Sequence, residues 1–416
     1  MRIAFGIVSL FPGGGLQRDC LEIAKLVRKR GHDVVIYSER VAGDVQADGI
    51  SVVTLPNHAK TNHRRQYEFA VDFLKESTAH CDLTVGFNKL LGLDVLYCAD
   101  ASMYDRLRKQ PYLNLLPHYR TYANIEKDSF GPERKTKTIL LSKNQLLQYW
   151  GAWRTEPRRM YLLPPTLSAA RRRPEYRSDG TRQTMRAALG LAGESWVWLT
   201  VCVQPDTKGT DRVIRALAEF PDARLLIAGL NETDKAAQQI VALARKLGVA
   251  SWVKWLGHRE DIAQVMAAAD LLLHPSRYDT TGTVILEGLV NGLPVIATAA
   301  CGYSTHVSAA RAGAVIPEPF EQRAFVAAIQ SAQDRAVSTA WSNAGMEYGQ
   351  RPGLSEGRLC AGQIIIAAAQ EKNPALAGAG PNRPEDEFAF DISTLQPAQD
   401  SDWTAYFSAN APLTAG

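Results

Sequence analysis

Residues 269–298 read Ala269-Asp-Leu-Leu-Leu-His-Pro-Ser-Arg-Tyr-Asp-Thr-Thr-Gly-Thr-Val-Ile-Leu-Glu-Gly-Leu-Val-Asn-Gly-Leu-Pro-Val-Ile-Ala-Thr298, and this stretch decides the fold. The apolar run Leu271 to Leu273 has the pattern of a parallel strand buried on both faces. A loop follows. A helix is predicted to begin near Gly282 and stop at Gly292, with Pro294 opening the next strand. Strand, helix and strand in that order make a parallel crossover, so the fold class is α/β.

The stretch also carries candidate chemistry. Gly282 lacks a side chain, so a ligand can come close to the N–H groups of Gly282, Thr283 and Val284 at the helix start. Those groups and the positive end of the helix dipole make a site for phosphate. Thr283 and Glu287 are four residues apart and share a helix face. Glu287 is then placed to accept hydrogen bonds from both hydroxyls of a ribose, while Asp279 reaches a second sugar from the preceding loop. Together these imply a sugar nucleotide. On spacing alone, an ordinary crossover with a solvated glutamate fits equally well.

Length and composition set the bounds. The chain has 416 residues, room for two α/β domains with separate cores. A hydrophobic content of 46% and a charged content of 22% are ordinary for a soluble globular protein. The net charge of +4 is too small to argue for a nucleic-acid partner. Cys20, Cys81, Cys98, Cys202, Cys301 and Cys360 are scattered without a CxxC pair, as expected of reduced thiols in a cytosolic protein. No apolar run is long enough to span a bilayer, so any membrane contact is expected to be peripheral. No metal site is visible.

The N-terminal half opens with a second crossover. Ile3 to Val8 reads as a buried strand, and Phe11-Pro-Gly-Gly-Gly15 as the loop at its end. Leu16, Cys20, Ile23, Ala24 and Val27 recur at helical spacing before Gly31 and the strand Val34 to Tyr37. The glycines do not fit the GxGxxG dinucleotide fingerprint, which argues against a nicotinamide dehydrogenase. Gly14 and Gly15 instead allow a diphosphate-sugar to lie close to the loop. Asp19 also suits the positive start of its helix. Asn88 follows the strand ending at Gly86, where loops reach the carboxyl edge of a parallel sheet. Residues 103–122 mix Arg106, Arg108, Lys109 and Arg120 with Tyr112, Leu113, Leu115, Leu116, Tyr119 and Tyr122. Such a mixture suits an anionic bilayer surface, or equally an amphipathic helix packed on its own domain.

Pro164-Pro165 fixes an extended connector, and the domain switch is placed there. This gives an N-terminal Rossmann-like domain over 1–165 and a C-terminal one over 166–349, with a helix at 350–370 packing back onto the first. Arg171-Arg-Arg173, beside the switch, is a candidate partner for a diphosphate, Arg171 foremost. The strand Trp196 to Val203 leads into the loop carrying Lys208-Gly209, and Arg259 follows a later strand, available to stack on a base. From 371 to 416 the periodicity is lost, and acids outnumber cations seven to two. A disordered acidic tail is expected there. Asp400-Ser-Asp402 within it mimics a metal-binding DxD without a fold around it.

The carboxylate, seven residues and glutamate of Asp279 to Glu287 resemble the motif of the family 4 retaining glycosyltransferases. Gly14-Gly-Leu-Gln-Arg-Asp19, Thr61-Asn-His63-Arg-Arg65, Val85-Gly-Phe-Asn88-Lys89 and Lys208-Gly-Thr-Asp-Arg212 extend the resemblance to the lipopolysaccharide core glucosyltransferases that add glucose to a heptose of the inner core. It covers roughly residues 1–370. It implies a GT-B fold, two Rossmann-like domains facing across a cleft, and transfer from UDP-glucose with no cofactor. It also implies roles: Asp19 facing the reaction centre, Lys208 neutralising the diphosphate, His63 and Asn88 lining the acceptor cleft. Residues 103–122 would then meet the cytoplasmic face of the inner membrane, where the acceptor, a heptose-containing core lipid, resides. The chain departs from the family at Asp279, usually Glu; at Thr166, usually Gly; and at Val203 and Thr207, one of which is commonly Arg. A UDP-sugar epimerase of the same architecture and a membrane-associated sugar-nucleotide binder without turnover are the alternatives.

Overall fold

A computed structural model describes residues 1–12, 14–193, 195–374 and 392–396. The chain divides into two units, one formed by Met1–Pro165 with the chain from Glu356 onward, the other by Thr166–Ser355.

Among the described residues the first unit has seven strands: β1 Arg2–Leu10, β2 Asp33–Val41, β3 Ser51–Thr54, β4 Leu83–Gly86, β5 Val95–Cys98, β6 Lys137–Leu140 and β7 Met160–Leu162. All pairs are parallel, in the order β3-β2-β1-β4-β5-β6-β7. Its helices are α1 Gly15–Lys29, α2 Asn62–His80, α3 Met103–Lys109, α4 Pro117–Phe130 and α5 Lys143–Trp153. Strand side chains alternate between faces, which sorts the core into two layers. Ile3, Phe5 and Ile7 pack with Cys20, Ile23 and Val27 of α1 on one face. Ala4 and Val35 pack with Phe69 and Phe73 of α2 and Tyr149 of α5 on the other.

The second unit has six strands: β8 Trp196–Val201, β9 Ala223–Ala228, β10 Val253–Gly257, β11 Leu271–His274, β12 Val295–Thr298 and β13 Gly313–Ile316. They too are all parallel, in the order β10-β9-β8-β11-β12-β13. The helices begin with α6 Thr181–Ala188, the one-turn α7 Pro205–Lys208, α8 Thr210–Leu217, α9 Gln238–Lys246 and α10 Ile262–Ala268. They continue with α11 Thr283–Val290, α12 Ser304–Ala310, α13 Gln322–Gln333 and α14 Arg335–Tyr348. The last helix, α15 Gly357–Lys372, belongs to the first unit, burying Cys360, Ala361, Ile364, Ile365 and Ala368 in its core.

Two boundaries differ from the sequence reading. The chain returns to the first unit at Glu356, because Arg351 and the Leu354 side chain still belong to the second. The disorder expected from residue 371 is corrected at two places. Helix α15 runs through Lys372, whose ammonium pairs with Asp94 at 2.8 Å, and Leu395 is buried in the first core. The other residues of that tail, Asp400 to Asp402 among them, lie outside the described residues.

One carboxylate organises the α3–α4 region of the first unit. Glu126 of α4 is 0% exposed and accepts from Lys89 Nζ at 2.7 Å, Ser102 Oγ at 2.6 Å and Trp153 Nε1 at 2.7 Å. It also accepts from the backbone N–H groups of Met103 and Tyr104 at the open start of α3, at 2.7 and 3.2 Å. Burial alone would push this carboxyl up; Lys89 and the hydrogen bonds outweigh it and hold it below the ordinary range. Glu126→Ala leaves Lys89 buried without its counter-charge. The expected loss is about 3–5 kcal/mol of stability, read by urea denaturation of the purified protein; a loss below about 1 kcal/mol would show that water replaces the carboxylate.

Candidate active site

Strand order in the second sheet reverses between β8 and β11, and the loops leaving those neighbours emerge at the carboxyl edge. Such a switch point is where open parallel sheets bind ligands. The two loops are held together by backbone. Gly209, at φ +67°, packs so closely that a Cβ there would meet Pro275 O at 2.0 Å, which excludes any other residue. Arg277 N donates to Thr207 O at 2.8 Å, and Arg212 Nη1 to Pro275 O at 2.9 Å.

This lacing brings three charged groups together. Lys208, the last residue of α7, places Nζ 2.5 Å from Asp279 Oδ2. His274, the last residue of β11, places Nε2 2.8 Å from the same oxygen, with Ser276 Oγ 3.1 Å from Nε2. His274 is only 1% exposed. Burial by itself would lower its pKa; Asp279 and the Cys301 thiol overcome that and raise it to about 9. Burial would likewise raise Asp279, but His274 and Lys208 hold it far below the usual carboxylate range. At neutral pH the cluster therefore carries two positive charges against one negative.

Helix α11 starts beside this cluster. Gly282 caps it at φ +74°, and a Cβ there would stand 3.4 Å from Asp279 Oδ2 and 3.5 Å from His274 Nε2. Thr283 and Val284 occupy the first turn, whose N–H groups have no partner within the helix. Glu287 lies one turn further on the face of Thr283, half-buried. Lys208, Asp279, Gly282, Thr283 and Val284 thus come together at one sheet edge, with Glu287 one turn further along the same helix. Arg259 leaves β10 at the same edge, its guanidinium held by both oxygens of Asp261 at 2.7 and 2.5 Å.

The backbone of Arg171, the candidate diphosphate partner, lies at the other end of α11. Its carbonyl accepts from Asn291 Nδ2 at 2.7 Å, and Asn291 caps the carboxyl end of α11. That is about 12 Å, the length of eight helical residues, from the end that offers N–H groups. The chain after the Pro-Pro connector runs beneath the helix instead of over its start.

In the first unit the corresponding switch lies between β1 and β4. Gly14 caps α1 and Gly15 begins it. Asn88, just beyond β4, accepts from Val8 N of β1 at 2.8 Å and so joins the two loops. His63 lies in the first turn of α2, its ring 6.1 Å from that of His118. Asp19 is buried, accepting from Tyr97 Oη at 2.8 Å and from Arg358 Nε at 2.7 Å. These bonds tie α1 to β5 and α15, and each oxygen keeps a lone pair for a further donor. A hollow lined by Gly92, Asp94, Lys135 and Lys137 lies at the amino edge of this sheet, the edge opposite to where such folds bind ligands. Among the described residues no group of three or more His, Cys, Asp or Glu could hold a metal ion.

Sequence reasoning missed His274. The available signal was a titratable residue ending an otherwise aliphatic buried strand, at the edge where ligands bind.

Residues 181–345 match the family described as Glycosyl transferases group 1. The lipopolysaccharide glucosyltransferase WaaG of Escherichia coli K12 is 35% identical over 359 residues, which are 84% of this chain and 94% of that protein. A crystal structure of WaaG, described as a glycosyltransferase involved in lipopolysaccharide biosynthesis, superposes with a TM-score of 0.80 at 34% identity, over 87% of this chain and 99% of that one. The Anabaena protein Alr3699/HepE, solved in complex with UDP-glucose, shares the fold with a TM-score of 0.65 at 20% identity, over 91% and 99% of the two chains. The two parallel-sheet units are those of the GT-B fold, and the chain belongs to the family of the lipopolysaccharide glucosyltransferase WaaG, as a group 1 glycosyltransferase.

Proposed function

We propose that this glycosyltransferase moves glucose, with retention of configuration, from UDP-glucose to a heptose of the lipopolysaccharide inner core. The observation that carries the reading is the Lys208–Asp279 pair beside the start of α11 at the β8–β11 switch, with Glu287 one turn further along that helix. A departing diphosphate needs positive charge already in place more than it needs a strong acid. Lys208 and the N–H groups of Thr283 and Val284 supply it, Glu287 holds the ribose, and Asp279 meets a hydroxyl of the transferred sugar. The names of the relatives support the donor and acceptor classes: WaaG is a lipopolysaccharide glucosyltransferase, and HepE holds UDP-glucose. His63 and Asn88 are proposed on the acceptor side.

Peripheral contact with the cytoplasmic leaflet fits the same reading. Between α3 and α4, Tyr112 is 66% and Leu115 82% exposed, with Leu116 beside them and Arg106 and Arg120 nearby in sequence. Exposed apolar groups bordered by cations suit an anionic lipid surface. Among the described residues no helix is long and apolar enough to cross a membrane.

Transfer from a panel of UDP-sugars to heptose-bearing core lipid tests the chemistry. UDP-glucose is expected to be preferred, and Lys208→Ala and Glu287→Ala each to lose at least tenfold, on the order of one oxyanion-type contact. Unchanged rates in both variants contradict the site, and an epimerised free sugar without transfer points to an epimerase. Co-sedimentation with vesicles containing phosphatidylserine tests the surface: Arg106→Glu with Arg120→Glu is expected to weaken binding at least tenfold, at about 1 kcal/mol per cation. Binding equal to that of the unsubstituted chain rules out this patch.

A further inference from the structure

His274 has no part in the donor contacts above, yet it is the buried partner that Asp279 shares with Lys208. We propose that His274 is a positioning residue for transfer: its hold on Oδ2 of Asp279 aims Oδ1 at the donor sugar and leaves the charge of Lys208 available to the diphosphate. The proposal rests on the donor site assigned above.

The geometry supports it on three counts. Both recorded bonds to Asp279 fall on Oδ2, so Oδ1 carries no hydrogen bond among the described residues. The short side chain of Asp279 has little reach, so it needs a fixed orientation to meet a hydroxyl. Finally, Lys208 and His274 share the one oxygen, so the charge Lys208 presents depends on that of the ring. Were His274 neutral, Lys208 and Asp279 would cancel. A charged ring leaves one net positive charge at the site.

The ring is enclosed. Asp279 and Ser276 face it from its own loop, the Cys301 thiol from the loop after β12, and Lys208 from α7 across the Asp279 oxygen. Its Nδ1 is buried with no hydrogen-bond partner among the described residues, a cost that the carboxylate at Nε2 offsets. Because its pKa is raised to about 9, the charge is fully present below the unperturbed value and is lost as pH rises through about 9.

The test compares His274→Gln, which keeps a neutral donor near the position of Nε2, with His274→Ala, which keeps none. Transfer from UDP-glucose is followed as kcat and KM between pH 6 and 10, beside the affinity for UDP alone. His274→Ala is expected to lose at least tenfold in kcat. His274→Gln should recover much of kcat, bind UDP several-fold more weakly, and lack the fall in activity near pH 9 that is expected of the unsubstituted enzyme. In the unsubstituted protein, the ring signal of His274 should titrate near pH 9 by NMR, a readout independent of whether either variant folds. A ring titrating below pH 7, or variants matching the unsubstituted enzyme at every pH while Lys208→Ala loses UDP, overturns the proposal and leaves the donor site standing. If Lys208→Ala binds UDP undiminished, the donor site itself fails, and the proposal with it.

Discussion

A single carboxylate oxygen held between an ammonium and an imidazole is the interaction on which the second unit's site depends. Asp279 Oδ2 lies 2.5 Å from Lys208 Nζ and 2.8 Å from His274 Nε2, and each partner arrives on a different piece of the fold. Removing one partner from such a buried group is strongly destabilising, because it strands the rest. The arrangement is therefore stable only as a set. Its surplus of positive charge, beside the open end of a helix, is what a diphosphate leaving group requires.

The set forms because parallel strands put all their outgoing loops on one edge and because the strand order reverses between β8 and β11. Backbone then fixes what topology only brings near. Gly209 approaches Pro275 O more closely than any side chain would permit, and Gly282 lets the start of α11 lie against Asp279 and His274. The first unit repeats the topology with other contents: Asn88 binds the β1 backbone, and Asp19 accepts from Tyr97 and Arg358.

Much of this was legible in the sequence, for reasons that are local. Apolar runs such as Leu271 to Leu273, ended by a loop and a glycine-bounded helix, state their structure within a few residues, and Lys208, Asp279 and Glu287 are named by the motif around them. What stayed hidden depends on distance in the chain. Arg171 looked well placed beside the connector, but only the packing of Asn291 reveals that it meets the far end of α11. Arg358, far along the chain, pairs with Asp19, a contact that no local pattern announces. His274 gave a weak signal, one polar residue in an aliphatic strand, whose meaning needs the loop from residue 275 to 279 to fold back over it. Leu395 was read as part of a featureless tail, since one apolar residue has no periodicity to declare its burial.

The central claim is that a uridine diphosphate is held by the Lys208 ammonium, the first turn of α11 and the Glu287 carboxylate. A crystal structure of this protein grown with UDP tests it most directly. The account predicts phosphate oxygens about 3 Å from Lys208 Nζ and from the N–H groups of Thr283 or Val284, with the ribose hydroxyls on Glu287. A nucleotide bound elsewhere, or a site left empty at saturating UDP, would contradict it.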